Sequence, residues 1–127
     1  MIYKDWTKNV NNSETVVSES VAISSDGYIY IAGSFKNSSN NGFLSKYTRE
    51  GIFQWQVTQS EQDNRDVKVS PDSGSIYITG FTRPAGLLQR PIVAKYTSEG
   101  YKVWEVSLDV DATNNRSLSV GVTSNGL

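Results

Sequence analysis

Carboxylates such as Asp63, Asp66, Asp109 and Asp111 are side chains of this 127-residue sequence that could do acid–base chemistry. Hydrolysis of a glycosidic bond needs two such groups about 5–9.5 Å apart across a cleft, and a pair so placed would favour a glycan-acting enzyme. The chain contains neither histidine nor cysteine. That removes the usual general base near neutral pH, any Ser-His-Asp triad, thiolate nucleophiles, sulfur-ligated metals and disulfides. Asp109-Val110-Asp111-Ala112-Thr113-Asn114-Asn115 places oxygen ligands at alternate positions, as hard-cation loops do. It lacks the central glycine and distal glutamate of an EF-hand loop, so a polar turn is expected. No metal or cofactor is expected, Asp109 and Asp111 being the candidate ligands if a cation bound. No residue is assigned a catalytic role.

Charge and hydropathy narrow the partners. A formal net charge of −1 gives no electrostatic reason to expect nucleic acid or an anionic membrane. No apolar run approaches the roughly 18 residues of a membrane-spanning helix. Met1-Ile2-Tyr3-Lys4-Asp5-Trp6 lacks the apolar core of a signal peptide. Asn11, Asn37 and Asn115 each begin a glycosylation sequon, read here as solvated loop.

The elements that would position these groups are repeated. The three tryptophans, Trp6, Trp55 and Trp104, are spaced 49 residues apart. At the same offset Phe43 to Val57 aligns with Ile92 to Val106, with identity at Lys46/Lys95, Tyr47/Tyr96, Thr48/Thr97, Glu50/Glu99 and Gly51/Gly100. Ile29-Tyr30-Ile31-Ala32-Gly33 recurs as Ile76-Tyr77-Ile78-Thr79-Gly80. Val21-Ala22-Ile23-Ser24 recurs as Val67-Lys68-Val69-Ser70 and again as Val120-Gly121-Val122-Thr123. Each unit reads as four strands with period-2 alternation and no useful helical period. Tight turns are expected at Asp26-Gly27 and Asp72-Ser73-Gly74, and at the Thr-x-Glu-Gly tetrapeptides. Gly33 and Gly80 mark a position where a Cβ is unwelcome, through close packing or a bulge. Trp55 and Trp104 are expected between units, and Lys46 and Lys95 are expected to cross the sheet face to Glu50 or Glu99 with buried stems.

A repeat of this length with four strands is the pattern of a β-propeller blade. At Asp26 to Gly33, Phe43 to Gly51 and Trp55, and again at Asp72 to Gly80, Ile92 to Gly100 and Trp104, the chain resembles the bacterial seven-bladed β-propeller repeat family (SBBP-type repeats). It departs from that pattern after the tryptophan strand, with Thr58-Gln59-Ser60 and Ser107-Leu108-Asp109 where Gly-Gly is common. The resemblance implies an all-β propeller, often in secreted or surface proteins, and no single activity. Ser70-Pro71-Asp72-Ser73-Gly74 also resembles the Asp-box of sialidase-type propellers, where it braces a hairpin. The arginines a sialidase needs are scattered: Arg49, Arg65, Arg83, Arg90 and Arg116.

The expected organisation is a single repeat domain over 1–127. It comprises an outer strand of a preceding blade (1–8), two complete blades (16–58 and 65–108) and the inner strand of a following blade (117–127). Such an incomplete propeller would be a fragment or would close by assembly, so homo-oligomerisation through the blade flanks is expected. Short turns share one edge. The loops Ser34 to Gly42 and Phe81 to Pro91 share the other with the connections Asn9 to Ser20, Thr58 to Asn64 and Asp109 to Ser117. Variation on one rim of a rigid scaffold points to recognition there. Arg83, Leu87, Leu88 and Arg90, with Asn37 and Asn40 on the other loop, are the candidate ligand-binding residues. The favoured reading is a non-catalytic binding or scaffold module for a protein or carbohydrate. A glycan-acting enzyme, or an assembly unit without independent activity, is the alternative.

Overall fold

The computed structural model describes residues 16–35, 41–82 and 89–107. Its described elements are eight strands: β1 (Val16–Ile23), β2 (Ile29–Phe35), β3 (Asn41–Tyr47), β4 (Phe53–Gln59), β5 (Gln62–Val69), β6 (Ser75–Thr82), β7 (Arg90–Thr97) and β8 (Lys102–Ser107). They form two four-stranded antiparallel sheets, β1-β2-β3-β4 and β5-β6-β7-β8, each a simple meander. The described residues contain no helix, hence none long and apolar enough to cross a membrane.

Both sheets carry the same irregularities. In β1 the register slips between Ser18 and Ser20, and in β5 between Asn64 and Asp66, so Glu19 and Arg65 are the extra residues of two bulges. Opposite these bulges stand Gly33 and Gly80. A Cβ on Gly33 would lie 2.0 Å from the Val17 carbonyl oxygen, and one on Gly80 would lie 2.0 Å from that of Asp63. The bulge drives a backbone oxygen into the space a side chain would fill. A second pair of slips, at Gln54 and Val103, keeps Lys46 opposite Trp55 and Lys95 opposite Trp104.

The sheets pack face to face, β5 lying against β1, β2 and β3. Strand alternation sends Tyr30, Ala32 and Leu44 from the first sheet, and Val67, Ile76, Ile78, Ala94 and Tyr96 from the second, into one apolar core. Each of these is at most 3% exposed. Trp55, Val57 and Val69 are half-buried around its margin.

The strands run further than the sequence suggests between the two units. The expected connection over Thr58 to Asn64 is a two-residue turn, Ser60-Glu61, with Gln59 still in β4 and Gln62 already in β5. The two sheets span residues 16–59 and 62–107. The physical reason is a network of buried amides. Gln62 Nε2 donates to Asn64 Oδ1 (2.7 Å), while Asn64 Nδ2 donates to Gln59 Oε1 (2.8 Å) and to the Phe43 carbonyl (2.9 Å). These bonds hold paired a stretch that composition alone reads as polar loop. Glu61 takes a left-handed conformation (φ 54°), its N–H donating to Asn41 Oδ1 and its carbonyl accepting from Thr82 Oγ1. Strands β2 and β3 also extend into the expected Ser34 to Gly42 loop, and β6 and β7 into the expected Phe81 to Pro91 loop. Residues 1–8 and 117–127, with Trp6 and Val120, lie outside the described residues.

Candidate functional site

Three constellations bring chemistry-bearing side chains together. The first holds the acid candidates. Asp63 and Asp66 flank the β5 bulge, and both are buried. Asp63 Oδ1 accepts from Ser34 Oγ (2.5 Å), and its Oδ2 lies 3.4 Å from the Arg65 guanidinium. Asp66 Oδ1 accepts from Ser20 Oγ (2.7 Å) and the Val67 N–H (3.0 Å), and Lys68 Nζ is 3.9 Å from its Oδ2. Arg65 also faces Glu19 at 3.7 Å and packs 5.0 Å from the Phe81 ring centroid. The extra residues of the two bulges thus meet across the sheets as an ion pair. Both aspartates act as inter-sheet acceptors, each receiving a hydroxyl from the first sheet. Asp109 and Asp111, the other members of the acid set, lie outside the described residues. Among the described residues no group of acidic side chains is arranged to hold a metal ion.

The second constellation is a clamp on a turn. Thr97-Ser98-Glu99-Gly100 closes β7 to β8 with a Gly100 N–H to Thr97 carbonyl bond (3.0 Å) and Gly100 at φ 95°. Two donors from the first sheet converge on the Ser98 carbonyl: Lys46 Nζ at 2.8 Å and Trp55 Nε1 at 3.1 Å. The turn lies flat on the indole, since a Cβ on Gly100 would stand 3.0 Å from the Trp55 ring. Lys46 Nζ sits 4.1 Å from the Tyr28 centroid and 5.5 Å from that of Tyr30, held over the ring faces as cations are. Burial lowers the Lys46 pKa below the ordinary lysine value, with Asp26 and Glu99 opposing. The expectation that Lys46 reaches a glutamate is therefore corrected: it bonds a main-chain carbonyl. Its strand position places the ammonium beside the neighbouring turn, where the oxygen is fixed and Glu99 is exposed.

The third is an open cleft of about 430 Å³ between β4 and β7–β8. Gln59, Gln62, Tyr96, Tyr101, Lys102 and Glu105 line it. Gln59 Nε2 donates to the Tyr96 hydroxyl (3.1 Å), and that hydroxyl's own proton meets no acceptor among the described residues. Burial raises the Tyr96 pKa, partly offset by the Gln59 bond, so the phenol stays a donor at neutral pH. Tyr101 is exposed at the mouth, and Lys102 and Glu105 pair at 3.1 Å.

Of the ligand-binding candidates, Arg90 opens β7 opposite Thr82 and is half-buried. Arg83, Leu87, Leu88, Asn37 and Asn40 lie outside the described residues. Gln59, Gln62, Asn64 and Ser34 were not anticipated. Closely spaced amides at 59, 62 and 64 beside a repeated strand were the available signal. No protein-family model matches the chain, and no curated protein matches it.

Asp72 has the bracing geometry expected of it. Its Oδ1 accepts from Ser70 Oγ (2.6 Å) and the Gly74 N–H (2.9 Å), while Ser70 Oγ accepts from the Ser75 N–H (3.0 Å). The Ser70 bond, then that from Gly74, holds the carboxyl below its ordinary pKa. Ser24, Asp26 and Tyr28 build the matching turn of the first sheet, Ser24 Oγ donating to Asp26 and accepting from the Tyr28 N–H.

Proposed function

We propose that the two sheets are consecutive blades of a β-propeller, and that the chain is a non-catalytic recognition or scaffold module whose loop edge is its binding surface. One observation carries this reading: the turn edge is occupied by contacts between the sheets. Ser25 Oγ bonds Ser73 Oγ (2.8 Å) and the Pro71 carbonyl (3.2 Å), and the Ser98 carbonyl is clamped by Lys46 and Trp55. The opposite edge gathers the ends of β2–β3, β4–β5 and β6–β7, where insertions leave a sheet's pairing intact. The likeness of the Asp26 to Gly33 and Phe43 to Gly51 stretches to SBBP-type repeats supports the same architecture. The amide network at Gln59, Gln62 and Asn64 makes the root of that edge rigid, as a surface that positions a ligand requires. The cleft beside Tyr96 reaches it at Ser60, Gln62 and Thr82.

Glycan arrays and a displayed-peptide library supply the test. Replacing 83–88 by Asn-Gly should abolish any binding found while thermal stability is kept, whereas Ser98→Pro should lower stability. A ligand mapped to the turn edge would overturn the assignment. So would hydrolysis of a chromogenic glycoside that is lost in Asp63→Asn.

A further inference from the structure

The contact between the two sheets has a donor side and an acceptor side, and the chain carries a second copy of each. On the donor side, Lys46, Trp55 and Val57 of the first sheet meet the second. Their equivalents are Lys95, Trp104 and Val106. The geometry is conserved: Trp55 stands 6.1 Å from Tyr30 at 55°, and Trp104 stands 6.4 Å from Tyr77 at 50°. Lys95 lies opposite Trp104 as Lys46 lies opposite Trp55. Lys46 and Trp55 share the Ser98 carbonyl, but among the described residues neither Lys95 Nζ nor Trp104 Nε1 has a hydrogen-bond acceptor. Val57 packs at the core margin, while Val106 is 47% exposed.

On the acceptor side, Val67 and Val69 of the second sheet pack into the core, and the Thr97–Gly100 turn supplies the Ser98 carbonyl. Their equivalents in the first sheet, Val21 and Ile23, are 61% and 70% exposed. The matching turn, Thr48-Arg49-Glu50-Gly51, has the same backbone bonds: Thr48 N–H to the Ile52 carbonyl and Gly51 N–H to the Thr48 carbonyl, both 2.9 Å. Gly51 has φ 87°, against 95° at Gly100. Only the carbonyl of the second turn residue is clamped, so Arg49 in place of Ser98 keeps the acceptor.

We infer that the chain self-associates head to tail, the Lys95–Trp104 clamp of one copy taking the Thr48–Gly51 turn of the next, with Val106 beside Val21 and Ile23. The interface is heterologous, so it propagates into a ring or a filament rather than stopping at a symmetric dimer. It is independent of what the loop edge binds.

The absence of cysteine permits a direct test on the full chain. A spin label on Glu50→Cys, mixed with an unlabelled, nitrogen-isotope-enriched copy, reports contacts between copies only. The Trp104 indole N–H resonance should broaden while that of Trp55 stays sharp. Sedimentation should show concentration-dependent association, and Lys95→Met with Trp104→Phe should weaken it tenfold or more. The label experiment leaves the clamp unmodified, so it stands even if that double variant folds poorly. Equal broadening at Trp55, none at Trp104, or a monomer up to about 1 mM would each overturn the proposal.

Discussion

At Gly33 and Gly80 a single hydrogen stands where any other residue would drive a carbon into a carbonyl oxygen. The obstruction is backbone, held by the facing bulge, so a rotamer change cannot relieve it. Gly80→Ala should therefore cost about 3 kcal/mol, the upper end of ordinary overpacking penalties, read as a fall in the urea midpoint at unchanged slope. Three tyrosines, Tyr30, Tyr47 and Tyr96, have pKa values raised chiefly by burial, Tyr30 up to about 12 with Asp26 and Glu99 contributing. A raised folded-state pKa stabilises fully below the unfolded value of about 10 and is lost as pH climbs through the folded one. Stability should thus decline between pH 10 and about 12, with late tyrosinate absorbance, and Tyr30→Phe should flatten that limb. Asp72 works in the opposite sense. Its lowered pKa contributes above the ordinary carboxylate value and is lost as pH falls through the depressed one. Asp72→Asn should accordingly remove part of the acid-side loss of stability in a pH-dependent melting series.

Among the elements, the tight turn between β7 and β8 shows what strand pairing alone cannot supply. Trp55 is half-buried rather than enclosed, so Trp55→Ala should cost about 3 kcal/mol, the lower end for a large aromatic. Trp55→Phe removes the Nε1–Ser98 bond together with the indole atoms on which the Gly100 turn rests, and should cost about 2 kcal/mol. With Lys46→Met it should show a non-additive double-mutant cycle, because both donors share one oxygen. The four strands of each described unit, the two tight turns and the glycine positions are legible because each leaves a local mark: alternation, a Thr-x-Glu-Gly turn, a glycine recurring in a β-branched run. The partner of Lys46 was not, since sequence spacing offers Glu50 and Glu99 as obvious anions but carries no trace of a carbonyl from the next sheet. The Gln59–Asn64 stretch was read as a connection because its polarity is that of a loop. Only buried amide-to-amide bonding makes it strand. The loop-edge candidates are legible as a cluster in sequence, and Arg90 is where the described strands meet it.

Over the whole molecule, β3–β4 and β7–β8 have the same register, with Lys opposite Trp and one unmatched residue after it. Strand β8 could therefore pair with β3 almost as well as β4 does, placing Glu105 instead of Gln56 opposite Ser45. Such an exchange keeps the ladder bonds and the Lys–Trp pairing but gives up the Gln59–Asn64 network and the Trp55 bond to the Ser98 carbonyl, so the shuffled form is a trap rather than an equal of the native meander. What keeps the chain out of it is time. During synthesis β1 to β4 emerge before β8 exists, and the first sheet closes on itself without a competitor. Refolding from denaturant presents every strand at once, and part of the population should enter a slow, trapped route. The slow amplitude should be absent when residues 62–127 are made as a separate chain and added after 1–61 has folded. Near-identical pairing, which lets one sheet recognise another, thus makes the order in which the strands arrive part of what specifies the native state.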